Sequence, residues 1–98
     1  MRAYVLHPDM KAGRRRAPEL ALAEAVSLAA ALPDLVVAGA EVVRLAKAQA
    51  GMLFGSGKIA ELKARFEALE VGLVLVDGAV SPVQQRNLEK AWGVKLLD

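Results

Sequence analysis

The stretch "GMLFGSGKIAEL", residues 51–62, is where residue type and spacing come closest to known chemistry. A glycine-rich turn that ends in lysine and opens a helix offers backbone N–H groups and an ammonium to a phosphate. The phosphate loop of nucleotide hydrolases reads G-x-x-x-x-G-K-[ST]. With Gly57-Lys58 set on its G-K, the first glycine falls on Met52 and the magnesium-holding hydroxyl falls on Ile59. A lysine without that hydroxyl can touch a phosphate but cannot assemble the metal site of phosphoryl transfer. The stretch therefore reads as a glycine turn opening a helix, with Gly55, Gly57 and Lys58 as candidate anion contacts.

A second cluster is electrostatic. Residues 1–16 hold Arg2, Lys11, Arg14, Arg15 and Arg16 against Asp9, while the remainder of the chain is slightly acidic, so the net charge of +2 is concentrated near the amino terminus. The run "KAGRRRAP" makes Arg14, Arg15 and Arg16 candidate contacts for a polyanion such as RNA. Other reactive residue types have structural readings. His7 closes a strand, and no Ser or Asp stands at triad spacing from it. Ser81 reads as a helix cap and not as a nucleophile, because no base accompanies it. Asn87 sits where an amide bonds loop backbone, and Trp92 reads as core. Arg86, Glu89 and Lys90 are expected to point outward. No catalytic residue emerges.

Composition narrows the classes further. Ninety-eight residues make one domain with a modest core, which is aliphatic because 19 residues are Ala and only four are aromatic. There is no Cys and a single His, which excludes disulfides and makes a dedicated metal site improbable. No apolar run reaches the roughly 20 residues of a membrane span. "MRAYVLHPD" breaks off with a proline and an acid where a signal peptide would stay apolar, so a cytoplasmic location is expected.

These residues have to be placed by strands and helices. "AYVLH", 3–7, is a strand ended by Pro8, and "LVVAGAEVV", 35–43, is a second. Between them, Pro18 opens a helix in which Ala21, Leu22, Ala25, Val26, Leu28, Ala29 and Leu32 recur at helical spacing up to Pro33. Ile59, Leu62, Phe66 and Leu69 mark an amphipathic helix with Glu61 and Arg65 paired on its outer face. "GLVLVD", 72–77, is an apolar strand. Ser81-Pro82-Val83-Gln84 is a capping box that opens a third helix ending at Gly93, and "VKLLD" is the fourth strand. The order βαβαβαβ predicts a three-layer α/β domain: a four-stranded parallel sheet with helices on both faces. In such a sheet the strand-to-helix connections gather at the carboxyl edge, where ligands bind. Arg14 to Arg16, Lys47, the Gly55–Lys58 turn and the Ser81 cap then share one edge with helix N-termini, an edge suited to anions, with Asp77 as the lone acid opposing them.

The second half of the chain also resembles a known family. "LFGSGKIAELK" followed by "VDGAVSPVQQRNLEKAWGVKLLD" is similar to the N-terminal domain of HflX-type GTPases. The resemblance rests on Gly55, Gly57, Lys58, Glu61, Leu62, Asp77, Ser81, Pro82, Gln84, Arg86, Asn87, Leu88, Glu89 and Asp98. It covers residues 51–98 well and residues 1–50 in layout alone.

The resemblance implies a GTP-binding protein that acts on the large ribosomal subunit and its RNA. Residues 1–98 would be its single N-terminal α/β domain, docking and regulating, followed by helical and GTPase domains. GTP and magnesium would belong to that missing GTPase domain, and the present chain would hold no cofactor and turn over no GTP. Some family members bind ATP through this region. The competing reading is thus a stand-alone ATP-binding α/β domain, with Lys58 on phosphate and Phe54 as the sole aromatic available to stack on adenine.

Overall fold

The computed structural model describes residues 1–10 and 17–98. Its elements are β1 (Arg2–Asp9), α1 (Pro18–Ala30), β2 (Val36–Arg44), α2 (Ser56–Ala68), β3 (Leu73–Val76), α3 (Pro82–Trp92) and β4 (Lys95–Leu97). The four strands form one parallel sheet in the order β2-β1-β3-β4. The expected three-layer α/β architecture is what the chain adopts. From β1 the chain crosses outward to β2, then returns past β1 to β3. Right-handed crossovers in these opposite directions put α1 on one face and α2 and α3 on the other.

The two faces are unequal. Tyr4, Leu6, Val74, Val76 and Leu96 point from the sheet into one cluster with Phe54, Leu62, Phe66, Leu88 and Trp92 from the α2/α3 side. Phe66 packs on Tyr4 with ring centroids 5.1 Å apart and planes tilted by 60°, and meets Trp92 edge-on at 5.1 Å, arrangements aromatic quadrupoles favour. The α1 side is thin. That helix buries Pro18, Ala21 and Ala29, while its leucines at 20 and 28 are 63% and 73% exposed. The helical spacing of the apolar residues was legible, but the face that meets the sheet is an alanine face and Leu28 lies off it.

Strand β1 does not stop before Pro8. It runs on to Asp9, with Pro8 opposite Val43 of β2. The reason is the alternation of a parallel ladder. Leu6 O accepts from Asp77 N on the β3 side, and Asp9 O accepts from Leu45 N on the β2 side. Pro8 therefore turns its missing N–H toward the β3 side, past the last β1–β3 pair, where no ladder bond is lost.

The helix termini follow their sequence signals in part. Ser81 caps α3: its hydroxyl accepts from Gln84 N, Gln84 answers on Ser81 N, and Gly93 closes the helix at φ 68°. The opening of α2 differs from expectation. Gly55 is its N-cap with φ −70°, and the left-handed residue of this turn is Leu53, at φ 62°. Neither Gly55 nor Gly57 needs the conformational freedom of glycine, and a Cβ on Gly57 would meet nothing within 4 Å.

Candidate anion-facing edge of the sheet

The carboxyl ends of the strands bring together Asp9, Arg44, Asp77 and Asp98, with the N-termini of the three helices beside them. At the centre, where β1 and β3 are neighbours but their following connections diverge, His7 Nδ1 lies 2.9 Å from Asp77 Oδ2. This is the switch point at which open α/β sheets place ligands. The partner of His7 was invisible in the spacing because the two residues are 70 positions apart and meet only through strand pairing. Asp77 is not the lone acid of this edge: Asp9 is buried there at the end of β1, and Asp98 accepts from Val80 N at 3.0 Å.

The β2–α2 connection is held from α3. Gln84 Nε2 donates to Gln49 O at 2.7 Å and Asn87 Nδ2 to Gly51 O at 2.9 Å, while Gln49 and Leu53 bridge each other. A cavity of about 1000 Å³ lies at the end of β2, with Arg44, Lys47, Gly55 and Lys58 among its lining. Asn87 thus bonds loop backbone as its position suggested. Glu89 departs from expectation. It does not point outward, since its carboxylate accepts from Leu96 N at 2.9 Å and pins β4 to α3. Gln84 and Asn87 tie α3 to the β2–α2 connection, Glu89 ties α3 to β4, Asp98 holds the β3–α3 connection, and Arg86 is exposed.

Lys58 sits in the first turn of α2, and its Nζ is 2.7 Å from Glu41 on β2 and 2.7 Å from Glu61 on its own helix. Arg65 binds the same two carboxylates, at 2.9 Å to Glu61 and in a shorter contact to Glu41. The Tyr4 hydroxyl donates to Glu41 at 2.7 Å. Burial alone would raise the Glu41 pKa, but hydrogen bonds from Lys58 and Tyr4 and the charges of Lys58 and Arg65 outweigh it and hold the carboxyl below its ordinary 4.5. Partial burial works against the charge of Lys58, yet Glu41 and Glu61 keep its pKa above the ordinary 10.5. For Tyr4, burial first and Glu41 second raise the phenol. The Glu61–Arg65 pair was legible from i,i+4 spacing, whereas Glu41, a lone acid inside an apolar strand, was passed over. Its position two residues after Gly39 on the face toward α2 was the available signal.

Phe54 cannot serve an adenine ring from this position. It is fully buried, with its centroid 6.0 Å from that of Trp92. Arg14, Arg15 and Arg16 lie outside the described residues. They stand in the sequence between Asp9, at the end of β1, and Pro18, at the start of α1. Among the described residues no group of three or more His, Cys, Asp or Glu could hold a metal ion, and no helix is long and apolar enough to cross a membrane.

The family described as GTP-binding GTPase N-terminal matches residues 19–98. The chain belongs to that family. Within it, the chain is 41% identical to the GTPase HflX of Magnetococcus marinus over 64 residues, which is 65% of this chain and 15% of that protein. It is 33% identical over 103 residues to the putative GTP-binding protein 6 of Mus musculus, covering 99% of this chain and 20% of the relative. The Xenopus laevis protein of the same description is 26% identical over the same span. This GTP-binding GTPase N-terminal domain thus spans a fifth or less of the relatives it matches.

Proposed function

We propose that this domain is the docking and regulatory module of an HflX-like GTP-binding protein, and that it binds the large ribosomal subunit through RNA phosphates at the carboxyl edge of its sheet. Family membership is the observation that carries the reading. The layout of the edge supports it. α2 opens with no capping side chain and no acid in its first turn, so its N–H groups are open to an anion. Two glycines sit there that the fold itself does not require. Arg14, Arg15 and Arg16 belong to the connection that starts from the same edge. Lys58 has a lesser role, because its ammonium is engaged by Glu41 and Glu61. The full-length protein is the GTPase, and the motifs for GTP and magnesium lie in another part of it.

The ATP-binding alternative is less well supported, because the aromatic residue it needs is buried and its lysine is ion-paired. Co-sedimentation of the 98-residue chain with purified large and small ribosomal subunits tests the proposal. Comigration with the large subunit alone is the expected result. No comigration, or equal comigration with both subunits, would refute it.

A further inference from the structure

Among the described residues, the charged ones that line the cavity at the end of β2 are all basic: Arg44, Lys47 and Lys58. Lys47 is exposed. Arg44 pairs loosely with Glu19 at 3.3 Å, and with both side chains about two-thirds exposed such a pair is weak. Lys58 is held differently. It belongs to the cavity wall, but its ammonium is turned onto Glu41, which does not line the cavity. That pair is partly buried, with side chains 27% and 20% exposed, whereas Glu61 is 49% exposed. Glu41 is therefore the stronger hold on Lys58. Gly55 also lines the cavity, and a Cβ there would meet only the Gln49 amide, at 4.0 Å, so the wall beside Lys58 is open.

Lys58 can leave this network without stranding a charge. It contacts Glu41 Oε2, while Oε1 is bound by Arg65 and accepts from the Tyr4 hydroxyl. With Lys58 gone the carboxylate keeps two donors, so the cost of an unpaired buried charge does not arise. Arg65 stands two turns further along α2, about 10 Å in helical rise, and does not line the cavity. We infer that the Lys58–Glu41 pair is an autoinhibitory contact of the anion-facing edge: Glu41 withholds Lys58 from the basic cavity, and a phosphate of bound RNA draws the ammonium away while Arg65 and Tyr4 keep Glu41 in place. The inference takes its ligand, an RNA phosphate, from the function proposed above. Because one ion pair is exchanged for another, Lys58 adds little to affinity until Glu41 loses its charge.

Salt titrations of binding to a uridine RNA oligonucleotide test it, comparing wild type with Glu41→Gln, Lys58→Ala and the double variant. Glu67→Gln, at an exposed position near the far end of α2, controls for the change in net charge. Glutamine at 41 can still accept from Tyr4 and Arg65. Glu41→Gln is expected to bind roughly three- to tenfold tighter than wild type, with a log–log slope steeper by about 0.7, one contact on single-stranded RNA. Lys58→Ala alone should stay within about twofold of wild type, yet in the Glu41→Gln background it should remove the whole gain, the non-additivity that marks a coupled pair. Equal gains from Glu41→Gln and Glu67→Gln, the same Lys58→Ala loss in both backgrounds, or no oligonucleotide binding at all would overturn the proposal. One readout needs no variant: the Lys58 Nζ resonance of the wild-type protein should shift when the oligonucleotide is added, and an unmoved resonance would equally overturn it. Comigration with the large subunit is measured separately, so failure of the ribosomal reading and failure of this one are told apart.

Discussion

The Lys58 ammonium lies 2.7 Å from the carboxylate of Glu41, joining the first turn of α2 to the edge strand β2. A lysine at a helix N-terminus opposes the helix dipole, and the two carboxylates at 41 and 61 offset that penalty. The pair predicts how stability varies with pH. Glu41 has a folded pKa below its ordinary 4.5, so the unfolded chain binds more protons through that range and stability rises with pH. The contribution is complete above 4.5 and is lost as pH falls through the folded value. Lys58 behaves oppositely: its contribution is complete below 10.5 and is lost as pH rises beyond it. Urea unfolding between about pH 3 and pH 6 should show a shallower acid slope in Glu41→Gln than in wild type. Superimposable slopes would mean that Glu41 is not held ionised by this network.

Gly39 stands directly across the β1–β2 ladder from Tyr4, and a Cβ added to it would lie 2.5 Å from the Tyr4 ring. The ring has no room to retreat. It is buried against Phe66, and its hydroxyl is held by Glu41. Gly39→Ala should therefore cost about 1–3 kcal/mol, as overpacking does. A shift in the urea midpoint with unchanged m-value is the expected signature, and an unchanged midpoint would show that the ring can move.

Ser81→Ala removes the hydroxyl that accepts from Gln84 N. A lost N-cap costs about 1 kcal/mol. Here Gln84 also donates to Gln49 O, so the substitution should additionally speed amide exchange in the β2–α2 connection. A stability loss without faster exchange there would uncouple the cap from the loop.

Much of the fold was legible because its signals are local. Alternating strands and helices, the Ser81 box and Gly93 all act within a few residues, and they are where the sequence places them. What escaped was set by pairing at a distance. Pro8 continues a strand because its blocked nitrogen faces a side where pairing has ended. His7 finds Asp77 across neighbouring strands, and Lys58 finds Glu41 between α2 and β2, through packing that no periodicity reveals. Phe54, in the β2–α2 connection, is buried against Trp92 of α3. The string from Ser81 to Glu89 was distinctive enough to carry a family resemblance. Its individual roles, as ties from α3 to the β2–α2 connection and to β4, appear only once those segments are placed.

The central claim is that the carboxyl edge meets RNA phosphates through Arg14, Arg15 and Arg16. A salt titration of binding between the protein and purified large ribosomal subunits tests it most directly, comparing wild type with the variant carrying Ala at all three positions. Each phosphate contact contributes a log–log slope of roughly −0.7 to −0.9. The wild type should therefore be steeper than the variant by about 2 to 3, with thermal unfolding unchanged. Equal slopes in the two proteins would contradict the claim and place the ribosomal contact outside this edge.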